Sequence, residues 1–536
     1  MTTGKRLYET RSPVEIYAPA KFEAIPDAVA RHAAARPDKR LLLCEGRAMS
    51  WGEFDARVNK VANALRALGL GQGDKVAVLA PNSIEYLEVI VGTLRAGGCI
   101  VPLSTMATAG QLEGMVNDSD ARVLFLGATM RGLLEPAFSR LTGLFPNGRI
   151  ALDYAAPGMQ SYAGWLAPAS ERNPGVALGP EDPFNIIYSS GTTGIPKGIL
   201  HDHQLRWGII HRMSGKGIDD KAVSIVSTPL YSNTTAVGFY PILAAGGSIV
   251  LMKKFDARQF LELCQSERVT HAMLVPVQYQ RILAHPDFDR YDLSSFRSKM
   301  CTSSPLRVET KREIAARWPG AMTDSYGLTE GGGNVSLDIM AYPDKLHTVG
   351  KPAPEVEVRI IDEQGRDVPQ GQPGEIVGRG PSMMVGYYKQ PQKTSDMVWK
   401  SPEGVTYFRT GDMGRFDEDG FLILLDRKKD MIISGGFNIY AADLEVILLQ
   451  HPEVADVAVI GVPSDDWGET PLALVVKKSG SNVEAETLRQ WANSKLGKPQ
   501  RISAVEFREE LPRSTIGKIL KKELRAPYWE KTGRQI

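Results

Sequence analysis

Residues 184–198, FNIIYSSGTTGIPKG, decide how this chain is read. Phe184 to Tyr188 is a short apolar run with the signature of a buried strand. From Tyr188 to Gly198 three glycines, two serines, two threonines and Lys197 crowd into one loop. Glycine lets backbone N–H groups turn toward an anion, hydroxyls add donors, and Lys197 adds a mobile charge, so this loop is predicted to hold phosphate where a strand of an open α/β sheet ends. A Walker-type loop is excluded, because Pro196 precedes Lys197 and Gly198, rather than Ser or Thr, follows it. By composition alone a polar surface turn fits as well.

The flanking sequence sets the fold class. Phe54, Val58, Val61, Leu65 and Leu68 are spaced four, three, four and three, which predicts a helix over 54–68 with Gly69 as its stop. A Val-rich strand is expected over 75–79, a helix over 83–96, and a buried strand over 99–103. The alternation resumes at 223–227, 248–252 and 273–275, so the chain is α/β with a largely parallel sheet. Gly69-Leu-Gly-Gln-Gly73 lacks a preceding strand and is a helix stop and turn, not a dinucleotide fingerprint. After about residue 350, strands and turns rich in Gly, Pro and Asp point to a β-rich subdomain that includes 356–361 and the turn 362–365. Beyond the charged run DRKKD at 426–430 lies a compact α/β tail, and the main domain boundary is expected there.

At 536 residues the chain needs more than one domain. Sixty-three basic against 62 acidic residues give a net charge of +1, which offers nothing to a nucleic acid or an anionic membrane as principal partner. Cys44, Cys99, Cys264 and Cys301 form no CxxC pair, as suits buried thiols in a reducing compartment. His201 and His203 form an HxH without nearby ligands, so no transition-metal site is expected. The charged first 24 residues hold no signal-peptide core, and the most apolar stretch, 89–103, carries Arg95 and Gly97-Gly98. No integral membrane segment and a cytoplasmic location are the expectations.

Four further motifs follow the glycine-rich loop: SYGLTE at 325–330, YFRTGDMG at 407–414, DRKKDMIISGG at 426–436 and PRSTIGK at 512–518. In this order the five resemble the adenylate-forming superfamily of acyl-CoA synthetases, luciferases and peptide-synthetase adenylation domains, along essentially the whole chain. The resemblance implies a large N-terminal domain, 1–428, with two α/β sheets and the β-rich subdomain, and a small mobile C-terminal α/β domain, 429–536. It implies ATP, Mg²⁺ and coenzyme A: a carboxylate attacks the α-phosphorus, pyrophosphate leaves, and the acyl-adenylate becomes a thioester. Two anions must meet, so neutralising charge is the central problem.

Position by position, the resemblance implies ATP contacts from Ser189, Ser190, Gly191, Thr192, Thr193, Gly194 and Lys197. Tyr326 is the residue that would stack on adenine, and Asp412 and Arg427 those that would serve the ribose or phosphates. Lys518 matches the catalytic lysine, Thr329 the α-phosphate donor and Glu330 the Mg²⁺ ligand, since Mg²⁺ needs few carboxylates beside phosphate oxygens. Lys429 matches the hinge, and Gly435 and Gly436 would lie against the pantetheine of coenzyme A. By residue type alone the bland alternatives stand: Lys518 as an exposed lysine near Lys521, Lys522 and Arg525, Tyr326 as a core tyrosine, Asp412 as a turn aspartate, Gly435-Gly436 as a tight turn.

The chain departs from the pattern at Tyr231-Ser232, where many relatives carry an aromatic-His pair, and at Ala441, where a proline is frequent; the alanine is expected to be tolerated. The acyl-pocket candidates are Ser232, Asn233, Thr234, Thr235, Ser303, Ser304, Gly327, Gly331 and Asn334. Their polarity favours a small to medium branched, hydroxylated or aryl acid, because an unpaired buried hydroxyl penalises an alkyl tail. The leading expectation is an ATP-dependent carboxylate:CoA ligase. The alternatives are a stand-alone enzyme loading a carrier protein, a luciferase-like oxygenase, or a nucleotide-binding protein without chemistry. No carrier domain or peroxisomal address is expected after Lys518. A protein lysine acetyltransferase acting on Lys518 and a monomer or homodimer complete the expectations.

Overall fold

The structure is a computed structural model and describes residues 22–189, 197–434, 437–497, 500–514 and 517–530. The chain divides into two compact units, the first built from 1–346, 352–357 and 379–408, the second from 347–351, 358–378 and 409–536.

The first unit contains two α/β sheets. One runs in the order Val335–Asp338, Ala321–Tyr326, Ser298–Cys301, His271–Leu274, Val223–Val226, Ser248–Leu251, Arg40–Cys44, Arg47–Ser50. Its inner strands are parallel, and the antiparallel neighbours Val335–Asp338 and Arg47–Ser50 flank them. The other sheet runs Gly386–Tyr387, Lys197–Asp202, Pro183–Ser189, Cys99–Pro102, Lys75–Leu79, Ala121–Leu126, Arg149–Ala151, Gln160–Ser161. It is parallel from Pro183–Ser189 onward. Antiparallel pairing sits at the other end: Gly386–Tyr387 pairs with Lys197–Asp202, which in turn pairs with Pro183–Ser189, with Ser189 opposite Lys197 and Tyr188 opposite Gly198. The two strands that flank the glycine-rich segment are therefore hydrogen-bonded neighbours.

The elements agree with the periodicity of the sequence. The first amphipathic helix spans Trp51–Ala67, opened by a reciprocal Ser50–Glu53 capping box and followed by Gly69 at φ +96°. The next spans Ile84–Arg95 with Ser83 as its cap. These two helices press together at Gly92, where a Cβ would lie 2.4 Å from Val61 Cγ1. Arg95, the charge inside the apolar stretch, is buried against Asp55 at 2.6 Å and donates to Asn59 Oδ1 and the Pro26 carbonyl. Among the described residues no helix is long and apolar enough to cross a membrane. The helix Asn233–Ala245 is apolar on most sides and helps fill a core cluster with Val29, Val61 and Ile249.

In the second unit the strand Glu357–Ile361, from Val358 on, ends in a turn through Gly365, and the far half of Thr406–Phe416 pairs antiparallel with Leu422–Arg427, setting Asp412 opposite Arg427. A further sheet runs Phe437–Ile439, Ile432–Ser434, Gly468–Lys477, Val454–Ser464, with Ala504–Phe507 parallel to Gly468–Lys477. The helices Ala441–Leu449 and Ala485–Asn493 bury Leu444, Leu448, Leu488 and Ala492 in its core. The helix Lys521–Trp529 packs Leu524 and Tyr528 against a second cluster of Ala458, Ile460, Leu472 and Leu474. The chain is thus α/β in several sheets with a C-terminal α/β domain, as the sequence implies.

Candidate active site

In the first unit Lys197 and Glu330 meet at Tyr387. The base of the glycine-rich segment is pinned by Tyr188, whose hydroxyl donates to Asp118 Oδ2 at 2.6 Å. Lys197 opens the return strand with its Nζ 5.2 Å from the centre of the Tyr387 ring. Partial burial, then repulsion from Lys393, holds its amine below the usual lysine range, and Glu330 opposes the shift. Tyr387 donates to Glu330 Oε1 at 2.9 Å, so Lys197 and Glu330 share one aromatic neighbour. Ser190, Gly191, Thr192, Thr193 and Gly194 lie outside the described residues, whereas Ser189 ends the outgoing strand.

The strand Ala321–Tyr326 carries Tyr326 at its end and delivers Gly327, Thr329 and Glu330 just beyond it. This segment is held by its backbone. The Thr329 carbonyl lies 2.8 Å from His201 Nε2, and the Glu330 carbonyl accepts from Met384 N at 2.9 Å. Gly331 has φ +90°, and a Cβ there would stand 2.3 Å from the Ser382 carbonyl oxygen, so only glycine fits. Asp324 of that strand forms a buried pair with Lys311 of the helix Val308–Arg317 at 2.7 Å.

The acyl-pocket candidates on the helix Asn233–Ala245 and its cap lie on two of its faces. Thr234 Oγ1 and Ser303 Oγ are 2.6 Å apart, with Ser303 in the left-handed region at φ +85°. Those two hydroxyls satisfy one another, which shrinks the penalty that the sequence reading attaches to them. Ser304 is half-buried nearby in sequence, and Asn334 Oδ1 would sit 3.2 Å from a Cβ on Gly327. On the other face Ser232, which caps the helix, lines a small cavity with Asn185, Arg206, Leu230, Ala236 and Tyr240. Asn233 Oδ1 accepts from Arg206 Nη1 at 2.8 Å, and Thr235 is turned away to the Pro229 carbonyl.

The second unit brings Asp412, Arg427, Lys429 and Lys518 together. Arg427 Nε lies 3.2 Å from Asp412 Oδ1. Lys518 follows Gly517, at φ +77°, and its carbonyl accepts from Ser514 N at 2.8 Å. Its amine is pushed down to about 8, by burial first and then by Arg427, with Asp412 acting the other way. A partly buried ammonium among two other cations and two carboxylates is a poor solvated-tail lysine and a ready ligand for an incoming anion. The run 426–430 is gripped by one helix: Arg525 donates to the Lys429 carbonyl at 3.1 Å and pairs with Asp430, while Lys521 bonds Glu445 at 2.9 Å and lies 3.8 Å from Asp426. Gly435 and Gly436 lie outside the described residues. Ala441 begins its helix fully buried, in the first-turn place that proline also suits.

Residues 29–388 match the family model described as AMP-binding enzyme, and residues 443–518 match the AMP-binding enzyme C-terminal domain. The chain belongs to the AMP-binding enzyme family. The enzyme is 34% identical over 502 residues to feruloyl-CoA synthase from Amycolatopsis sp, covering 93% of this chain and 98% of the relative. It is 30% identical over 515 residues to the fatty acid–[acyl-carrier-protein] ligase ScoC from Streptomyces coeruleorubidus, covering 94% and 96%. Among solved structures, ATP-bound MatB from Rhodopseudomonas palustris superposes with a TM-score of 0.84 at 31% identity, covering 94% and 99%. An anthranilate CoA ligase in complex with anthranoyl-AMP gives 0.85 at 26%, covering 96% and 99%. The enzyme is an adenylate-forming acid–thiol ligase, an ATP-dependent acyl-CoA synthetase.

Tyr387 and Arg206 carry no motif signal in the sequence, His201 shows there only as half of an HxH, and Arg525 only as one of the cations near Lys518.

Proposed function

We propose that this enzyme activates an aryl-substituted carboxylic acid and transfers it to coenzyme A. The similarity to feruloyl-CoA synthase along nearly the full length of both chains carries this reading, and the likeness to an anthranilate CoA ligase supports it. Lys518 supplies the positive charge that lets the carboxylate approach the α-phosphate, and Thr329 donates to that phosphate. The glycine-rich segment, Ser189 to Lys197, receives the β and γ phosphates. Tyr326 stacks on adenine, and Asp412 with Arg427 serves the ribose. Glu330 fits Mg²⁺: Tyr387 takes one of its oxygens and leaves the other as a hard ligand, and the ion would neutralise phosphate charge.

Lys429 is the hinge, at the boundary between 1–428 and a mobile 429–536, and Gly435-Gly436 lies against coenzyme A. Ser232, Asn233, Thr234, Ser303, Ser304, Gly327, Gly331 and Asn334 surround the acid. The enzyme works in the cytoplasm as a monomer or homodimer, and acetylation of Lys518 by a protein lysine acetyltransferase removes its charge and switches adenylation off. The similarity to ScoC favours a second reading, with a carrier-protein thiol as acceptor.

Pyrophosphate release across a panel of aryl, branched and linear acids, with coenzyme A, with a phosphopantetheinylated carrier protein, or with neither, tests both. Aryl acids with coenzyme A should turn over fastest. Equal rates from acetate through palmitate would refute the aryl assignment, and turnover only with the carrier would select the second reading.

A further inference from the structure

Three buried polar side chains beside the candidate site have no part in the roles above. Asn185, His201 and Arg206 are 2%, 0% and 2% exposed, on two paired strands and the helix that follows them. Among the described residues Arg206 has no carboxylate as a hydrogen-bond partner: Nε and Nη2 donate to Asn185 Oδ1 at 2.9 and 2.7 Å, Nη2 also to His201 Nδ1 at 2.9 Å, and Nη1 to Asn233 Oδ1 at 2.8 Å. Burying a guanidinium among neutral acceptors is costly, and an apolar residue of like volume would serve stability as well or better.

The contacts fix the imidazole. Asn185 Oδ1 accepts from Arg206, so its Nδ2 is the end that faces His201 Nδ1 at 3.1 Å. Two donors converge on Nδ1, which must be the lone-pair nitrogen, so the proton sits on Nε2 and is donated to the Thr329 carbonyl at 2.8 Å. Full burial and the neighbouring guanidinium keep the ring neutral. A hydrogen-bonded chain thus runs from Asn233, first residue of the helix that carries the acyl-pocket candidates, through Arg206 and His201 to the backbone between Leu328 and Glu330.

We propose that His201 and Arg206 are positioning residues for adenylation: Arg206 locks His201 as a donor, and His201 holds the Thr329 carbonyl so that Thr329 and Glu330 meet the phosphates in register. This rests on the roles given to Thr329 and Glu330 above. It also ties the N-terminus of the acid-binding helix to the phosphate-binding segment through one buried cation.

Two isosteric variants separate the halves of the imidazole. His201→Asn keeps an acceptor near Nδ1 for Arg206 and loses the donor to Thr329; His201→Gln keeps a donor near Nε2. The ATP Kd, measured calorimetrically with Mg²⁺ and without acid, should rise roughly tenfold in His201→Asn and stay within about threefold of wild type in His201→Gln. In turnover the ATP KM should follow the same pattern with the coenzyme A KM unchanged. Equal ATP affinity in both variants, or equal loss for ATP, acid and coenzyme A, overturns the proposal. Should His201→Asn not fold, Arg206→Lys, which retains charge but not the planar fork, should raise the ATP Kd by a similar factor, and an unchanged Kd overturns it. If wild type binds ATP yet releases no pyrophosphate with any acid, the functional reading fails, while the ratio of ATP affinities still decides this inference.

Discussion

Raising the pH from 7 to 9 should shut down adenylation through one amine. Lys518 is pushed down to about 8 by burial and by Arg427. Its protonated fraction then falls from about nine-tenths at pH 7 to about one-tenth at pH 9, so kcat/KM for acid-dependent pyrophosphate release should drop roughly tenfold, with its midpoint near pH 8. The loss is not unfolding. The native amine binds its proton less tightly than the unfolded one, at 10.5, so between about 8 and 10.5 the unfolded chain holds more protons and this group's contribution to stability grows with pH. Lys518→Arg keeps a cation that does not titrate in this range, and its residual activity should lose the falling limb. Lys518→Ala should cost about 3 kcal/mol, a rate loss in the hundreds, while thioester formation from supplied acyl-adenylate survives. A wild-type profile flat to pH 9.5, or an unchanged falling limb in Lys518→Arg, would refute the reasoning.

Other substitutions probe the rest of the site. Lys429→Pro should slow thioester formation from supplied acyl-adenylate by roughly tenfold or more with pyrophosphate exchange little changed; equal rates in both assays would reject Lys429 as hinge. Tyr387→Phe removes the donor to Glu330 Oε1, and the apparent Mg²⁺-ATP KM should rise roughly threefold to tenfold, whereas no change would separate Tyr387 from the nucleotide. Gly331→Ala meets both a left-handed backbone and the Ser382 carbonyl, and denaturant unfolding should show a loss of about 2–4 kcal/mol.

The strand Lys75–Leu79 was legible because a Val-rich run bounded by Gly-Asp and Pro-Asn leaves no other reading, and the Trp51–Ala67 helix because its stripe keeps a steady period. The antiparallel return at Lys197–Asp202 was not, since a run as polar at its ends as KGILHD gives no alternation to follow. Only its motif sets Lys518 apart in the sequence; by type it belongs on the surface, and its partial burial comes from folding 412, 427 and 518 together across a hundred residues. The Asn185, His201 and Arg206 cluster was invisible for a different reason. Its members are close in the chain but face one another only once two strands and a helix are laid side by side, and no periodicity encodes a hydrogen bond between side chains.

The helix Lys521–Trp529 begins three residues after Lys518 and holds 426–430 through Arg525 and Lys521. Proteolytic nicking or truncation near residue 520 would therefore do more than trim an end. It would strip the support from 426–430 at the same stroke as it freed the lysine turn, so a clipped preparation should lose both half-reactions together, a defect that no single substitution at 518 would reproduce.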